Sequence, residues 1–152
     1  MIASSEAQLP GGSAHGGADP PTWADAPTVS DYRPGACNIG PDEIARRRRG
    51  AWIAGLATVV FYVGLLAIAA PDLVRFIVAV PAASAAVSWL QARERFCVAF
   101  GTAGVFNFGP VGEIEQVADE AARRADRRKV LSMVARGAAM GIVVGMAAVL
   151  VP

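Results

Sequence analysis

The chain has 152 residues, a net charge of +1, 54% apolar residues and a positive mean hydropathy of +0.41. That apolar share exceeds the roughly 45–50% of a soluble domain, and the near-neutral charge gives no global basic field to draw in nucleic acid. Two cysteines, Cys37 and Cys97, exclude a disulfide-dense secreted scaffold.

Residues 1–38 read as a disordered cytoplasmic tail. The stretch "QLPGGSAHGGADPPTWADAPTVSDYRPG" is rich in Pro, Gly, Ala, Ser and Asp and shows neither helical nor strand periodicity. Trp23 and Tyr32 are lone aromatics within it. The first 30 residues hold no apolar run behind a basic start, so no cleavable signal peptide is expected.

A membrane domain is expected over residues 39–152. Gly40-Pro41-Asp42-Glu43 is a helix start, with proline at the first helical position and acids at the positive end of the dipole. Asp42 and Glu43 stand four residues before Arg46 and Arg47, in register for ion pairs. The helix should continue through residues 51–70, "AWIAGLATVVFYVGLLAIAA", an uncharged run of about 30 Å, the thickness of a hydrocarbon core. Pro71 and Asp72 end it.

A second span is expected over residues 73–90. Arg75 should snorkel from its outer end, and Pro81 should kink it by freeing the carbonyl of Ile77. Trp52 and Trp89 fall at the inner ends of the two spans, at headgroup depth. Residues 96–110 are apolar but broken by Gly101, Gly104, Gly109 and Pro110, which places them as an interfacial loop folded against the helix ends.

Residues 111–129 read as an inner-face amphipathic helix, polar from Glu113 to Lys129. Val111, Ile114, Ala118, Ala121 and Ala125 form its narrow stripe, and Asp119–Arg123 and Glu120–Arg124 its ion pairs. The third span, residues 130–151, is the weakest. Arg136 lies inside its inner end and must snorkel for the helix to cross.

Eleven cations flank the inner ends of these spans: Arg46–Arg49, Arg93, Arg95, Arg123, Arg124, Arg127, Arg128 and Lys129. The outer turn offers Arg75 alone. This asymmetry predicts the N-terminus inside and the C-terminus outside. One lysine against thirteen arginines points to a GC-rich bacterial genome, and so to a bacterial inner membrane.

Three motifs carry what functional signal there is. Arg46, Arg47, Arg48 and Arg49 read first as a topology determinant, with lipid headgroup contact as a by-product. Gly137, Gly141 and Gly145 form a G-x3-G-x3-G ridge for close helix packing, within the chain or between chains, and Ala82–Ala86 and Ser84–Ser88 echo it. Cys37 and Cys97 flank the first two spans on one face and form a candidate thiol pair. The only histidine is His15, in the tail, so one chain cannot supply a four-ligand zinc site. No Asp, Glu, Lys or His falls in the middle of a span, where proton relays and ion paths need one. Catalysis, a resident cofactor and a resident metal are therefore not expected.

"YRPGACNIGPDEIARRRR" together with "RFCVAFGTAGVFNFG" resembles small uncharacterised bacterial integral membrane proteins that carry a CNIGP-x-E-I-x-RRR-like motif. The resemblance covers residues 32–110 and implies no activity. It implies that the two cysteine segments and the aromatic loop belong to one inner-face surface.

The expected fold is all-α: three transmembrane helices, an inner-face helix and a disordered tail. The expected role is that of a non-enzymatic structural or accessory membrane protein. Its partners would be the lipid bilayer and a second copy or another membrane protein, with no nucleic acid. Two other readings are a thiol-based redox or metal-responsive protein using Cys37 and Cys97, and a subunit of a small oligomeric transporter.

Overall fold

A computed structural model describes residues 31–150. The tail before residue 31, with His15 and Trp23, lies outside the described residues, as do the last two positions. Three helical segments are long and apolar enough to cross a membrane: Pro41–Ala67, Asp72–Arg93 and Glu120–Leu150.

Helix α1 (Pro41–Ala67) starts behind Gly40, with Pro41 in its first turn and Asp42 and Glu43 at the positive end of the dipole. It closes by a reversal in which the amides of Ala69 and Ala70 donate to the carbonyls of Leu66 and Leu65, both at 2.9 Å. Ala69 takes the left-handed conformation there, at φ +50°.

The second crossing segment is built in three parts: α2 (Asp72–Arg75), a 3-10 turn (Phe76–Val78) and α3 (Ala79–Arg93). Pro81 has no amide hydrogen for the carbonyl of Ile77, and the ladder tightens to 3-10 geometry around that carbonyl. The segment thus departs from α geometry at Phe76–Val78, ahead of Pro81. Arg75 does not reach outward. Its Nε donates to Ala70 O at 3.1 Å and its Nη1 pairs with Asp72 at 3.3 Å, so it clasps the turn after α1.

Between α3 and the last helix the chain builds a small polar-ended cap. Helix α4 (Val98–Ala103) ends at Gly104, whose φ of +71° only glycine adopts without strain. Strand β1 (Val105–Phe106) pairs antiparallel with β2 (Glu115–Gln116). Ile39 adds a parallel bridge to Asn107, so the segment before α1 joins the same sheet edge. Residues 96–110 are thus a helix and a strand rather than an irregular loop.

Helix α5 (Glu120–Leu150) runs unbroken for about 46 Å at helical rise. The polar segment and the third span are one element, and the separate helix expected over 111–129 is corrected. Residues 111–119 hold a turn and β2 instead. Asp119 does not pair with Arg123. Its carboxylate caps the helix, accepting from the amides of Ala121 (3.3 Å) and Ala122 (2.9 Å). Glu120 takes Arg123 and Arg124 together, at 3.4 and 3.5 Å. The stripe read from Val111 to Ala125 is also corrected. Val111, Ile114, Ala118 and Ala121 are exposed, and Ala122 and Asp126 are the buried positions. That phase was carried through a non-helical stretch, where a 3.6 period has no meaning.

The long helices lie in a row with α3 in the middle, packed on α1 at one side and on α5 at the other. Two apolar clusters close the row. Leu65, Ala70, Val78 and Ala148 gather at the end away from the cap, with Tyr62 against them. Phe106, Phe108, Val117 and Ala122 gather in the cap, with Tyr32 and Cys37 against them. Between the ends, the helices meet through small residues. The outward faces stay apolar and exposed, as at Trp52, Leu56, Val60 and Val143.

Candidate functional site

The charged end of the row concentrates the chain's buried polar groups. Asn38, Glu43, Gln91, Asn107 and Asp126 are all buried there. Each is held by a specific piece of local structure.

Asn38 is a backbone mimic. Its Nδ2 donates to Cys97 O at 3.2 Å, and its Oδ1 accepts from Cys97 N at 2.6 Å. Its own amide donates to Arg95 O at 3.1 Å. The strand entering α1 is thereby stitched to the junction of α3 and α4. Gln91 finishes that junction by accepting from Val98 N at 3.0 Å, at the start of α4.

Glu43 sits in the first turn of α1 with a side chain only 2% exposed, 3.6 Å from both Arg46 and Arg47. Arg47 bends inward, and its Nη2 donates to Cys97 Sγ at 3.0 Å. Carboxylate, guanidinium and thiol thus stand in one line from α1 to the α3–α4 junction. Glu43 Oε2 and Arg47 Nε have no hydrogen-bond partner among the described residues.

A second cluster centres on Asp126, which is fully buried on α5. It accepts from the Tyr32 hydroxyl at 2.8 Å and from Gly35 N at 2.6 Å. The sequence Arg33-Pro34-Gly35-Ala36 makes this geometry available. Proline presets the turn, Gly35 takes φ +68°, and Ala36 N donates to Arg33 O at 2.9 Å. Tyr32 also stacks on Phe106, with ring centroids 4.8 Å apart. Burial, and then the bond to Asp126, push the Tyr32 phenol above its ordinary pKa, so it stays a donor. Residues 31–38 therefore belong to the folded cap, which corrects the tail boundary at 38. The cost of ordering this segment is offset by one buried carboxylate and one aromatic stack.

Glu94 makes the third cluster. Arg136 grips it with two bonds, 2.7 and 3.1 Å, and Lys129 pairs with the same carboxylate. The Arg136 bonds hold the Glu94 carboxyl below the usual carboxylate range, with Lys129 assisting and burial opposing.

The sequence-derived sites are distributed as follows. Arg47 is turned inward, while Arg46, Arg48 and Arg49 are exposed. Cys37 and Cys97 both lie in the cap as free thiols with separate surroundings. Cys37 is half-buried against the aromatic cluster, and Cys97 is fully buried under Arg47.

Gly137, Gly141 and Gly145 are buried against α3 of the same chain. A Cβ on Gly137 would collide with Val87, one on Gly141 would lie 2.5 Å from Ala79 O, and one on Gly145 would lie 2.8 Å from Ala79 Cβ. The ridge thus packs within the chain.

Sequence reasoning missed Asn38, Glu94 and Asp126. For Asp126 a signal existed. Counting back from the glycine ridge in steps of three and four gives 133, 130 and 126, so a carboxylate stood in the buried stripe. Among the described residues no group of three or more His, Cys, Asp or Glu side chains is placed to hold a metal. No protein-family model, curated protein or solved structure matches the chain.

Proposed function

We propose that this chain is a non-enzymatic accessory protein of a bacterial inner membrane, with its N-terminus and cap on the cytoplasmic side. Its basic, aromatic cap is the surface it offers to lipid headgroups and to membrane partners. The observation that carries this reading is the sorting of charge along the helix row. Arg46, Arg48 and Arg49 stand exposed at the start of α1, and Arg93, Arg95, Arg124, Arg127 and Arg128 stand exposed at the same end. The opposite turn offers Arg75, which is committed to Ala70 and Asp72. Cations so distributed favour the cytoplasmic side. Because the glycine ridge is occupied by α3, partner contact falls to the cap and to the outward apolar faces.

Reporter fusions test the orientation. Fusions after Pro71 and after Pro152 should both report the outside, and a fusion within residues 109–113 should report the inside. A cytoplasmic signal at Pro152 would leave two spans and overturn the three-span arrangement.

A second reading, thiol-based sensing, draws support from Arg47, whose guanidinium addresses the Cys97 sulfur. A reversible, oxidant-induced mobility shift abolished by Cys37→Ser and by Cys97→Ser would establish it. No shift in the unaltered protein would remove it.

A further inference from the structure

The row of helices leaves a continuous furrow on one side, with α3 as its floor and α1 and α5 as its walls. An inner cleft of about 370 Å³ lies among Trp52, Gly55, Ala86, Trp89 and Met140. An outer cleft of about 240 Å³ continues it to Tyr62 and Ala148, and the two share Thr58 and Val144. The lining is apolar. The Thr58 hydroxyl is already spent on Ala54 O at 2.7 Å, so it does not face an incoming hydrocarbon unpaired.

Three features define what fits. First, the furrow runs about 16 Å along α1, from Ala51 to Tyr62, close to half of a hydrocarbon core roughly 30 Å thick. It therefore matches one leaflet and not the whole membrane. Second, its mouth is flanked by two indoles, Trp52 and Trp89, which favour the depth of the glycerol and carbonyl groups. These bulky side chains also oppose the close backbone approach that a guest helix needs. Third, an arginine stands one helical turn beyond the lining residues on each helix. Arg48 lies one turn before Trp52, Arg93 one turn after Trp89, and Arg136 one turn before Met140, so each helix brings an arginine to the same end. Arg136 is held by Glu94, while Arg48 and Arg93 enter no ion pair among the described residues.

We infer that this furrow is a binding site for a single anionic phospholipid of the inner leaflet. One acyl chain lies along α3, and the phosphate sits between Arg48 and Arg93. The inference rests on the membrane reading above, and its test does not depend on orientation.

Gly55 gives the test a clean handle. A Cβ there meets nothing within 4 Å, so Gly55→Leu starts into open space and projects into the furrow that Gly55 lines. Gly64 is equally open but does not line the furrow, so Gly64→Leu carries the same gain in helix propensity and serves as the control.

The full chain is purified in mild detergent, supplied with phosphatidylglycerol or phosphatidylcholine, and retained lipid is read by native mass spectrometry. The unaltered protein and Gly64→Leu should keep one phosphatidylglycerol per chain, and Gly55→Leu should lose it by about tenfold or more. Arg48→Gln combined with Arg93→Gln should erase the preference for phosphatidylglycerol over phosphatidylcholine. Equal retention by Gly55→Leu and Gly64→Leu would overturn the site. A dimer that Gly55→Leu dissociates would also overturn it, by assigning the furrow to a second copy. Reporter fusions that reversed the orientation would refute the proposed topology and leave lipid retention in detergent unchanged.

Discussion

Adding one methyl group at Gly141 is the sharpest probe of how the helix row holds together. A Cβ there would lie 2.5 Å from Ala79 O, 2.6 Å from Ala83 Cβ and 2.9 Å from Ala83 N. Non-bonded carbon contacts settle near 3.5–4.0 Å, so α3 must retreat by about 1 Å. None of the three opposing atoms is the end of a flexible side chain that could swing away. Overpacking of this kind costs about 1–3 kcal/mol, and rigid neighbours put it at the upper end. Replacing a helical glycine by alanine returns about 1 kcal/mol of propensity. Gly141→Ala should therefore destabilise by about 1–2 kcal/mol, and Gly141→Leu by more. Two controls bracket the effect. Gly55→Ala faces open space and should stabilise by about the propensity gain alone, roughly 1 kcal/mol. Ala139→Leu lies on the exposed face and should stay within about 0.5 kcal/mol of neutral. Equilibrium unfolding in mixed micelles, followed by far-ultraviolet circular dichroism, reads all four. If Gly141→Ala stabilises as Gly55→Ala does, the close contact between α3 and α5 does not exist.

The remaining predictions concern the cap. Asn38→Ala leaves the buried amide of Cys97 without its acceptor, while the Cys97 carbonyl keeps Gly101 N, and should cost about 1–3 kcal/mol; maleimide should then label Cys97 markedly faster, and an unchanged rate would refute the clasp. Asp126→Ala leaves the Tyr32 hydroxyl and the Gly35 amide without their acceptor, so residues 32–37 should release and Cys37 should label faster, with a stability loss of about 2–4 kcal/mol. Because the Glu94 carboxyl is held below its ordinary pKa, its contribution is present above about pH 4 and is lost as pH falls through the lowered value. Glu94→Gln should remove that part of the acid sensitivity, and identical acid-unfolding curves would refute the grip of Arg136.

The three helices long and apolar enough to cross a membrane were legible because their signal is local. An uncharged apolar run, a proline at a helix start and a glycine every fourth residue each state their consequence within a turn or two. The cap was not legible, because it is made by contacts between residues far apart in the chain. Asn38 meets Cys97 across 59 positions, and Tyr32 meets Asp126 across 94. Nothing in the neighbourhood of Asn38 marks it as the partner of a distant backbone. Composition also misled at Tyr32-Arg33-Pro34-Gly35. A Pro-Gly turn reads as tail when the carboxylate that receives it is out of view. The polar segment before the third span failed for a different reason. Its helix starts late, at Glu120, and a period counted from Val111 picked the wrong face.

Taken together, the cap and the outer cluster explain why the furrow stays open. Helices α1 and α5 are joined at the outer end by Leu65, Ala70, Val78 and Ala148. At the inner end they are joined indirectly. The segment before α1 is tied to α5 by Tyr32 and Gly35 on Asp126, and to the end of α3 by Asn38 on Cys97. Between these two points both helices pack chiefly on α3. On α5 the glycine ridge brings the helix so close to α3 that it cannot also tilt over the furrow toward α1. On α1 the matching positions are Ala51, Gly55 and Thr58, which are too small to bridge the gap. In lipid, apolar burial gives no drive to close such a space, since a hydrocarbon chain solvates it as well as a leucine does. The small residues that let α3 serve as the centre of the row are therefore also what leaves room for a guest.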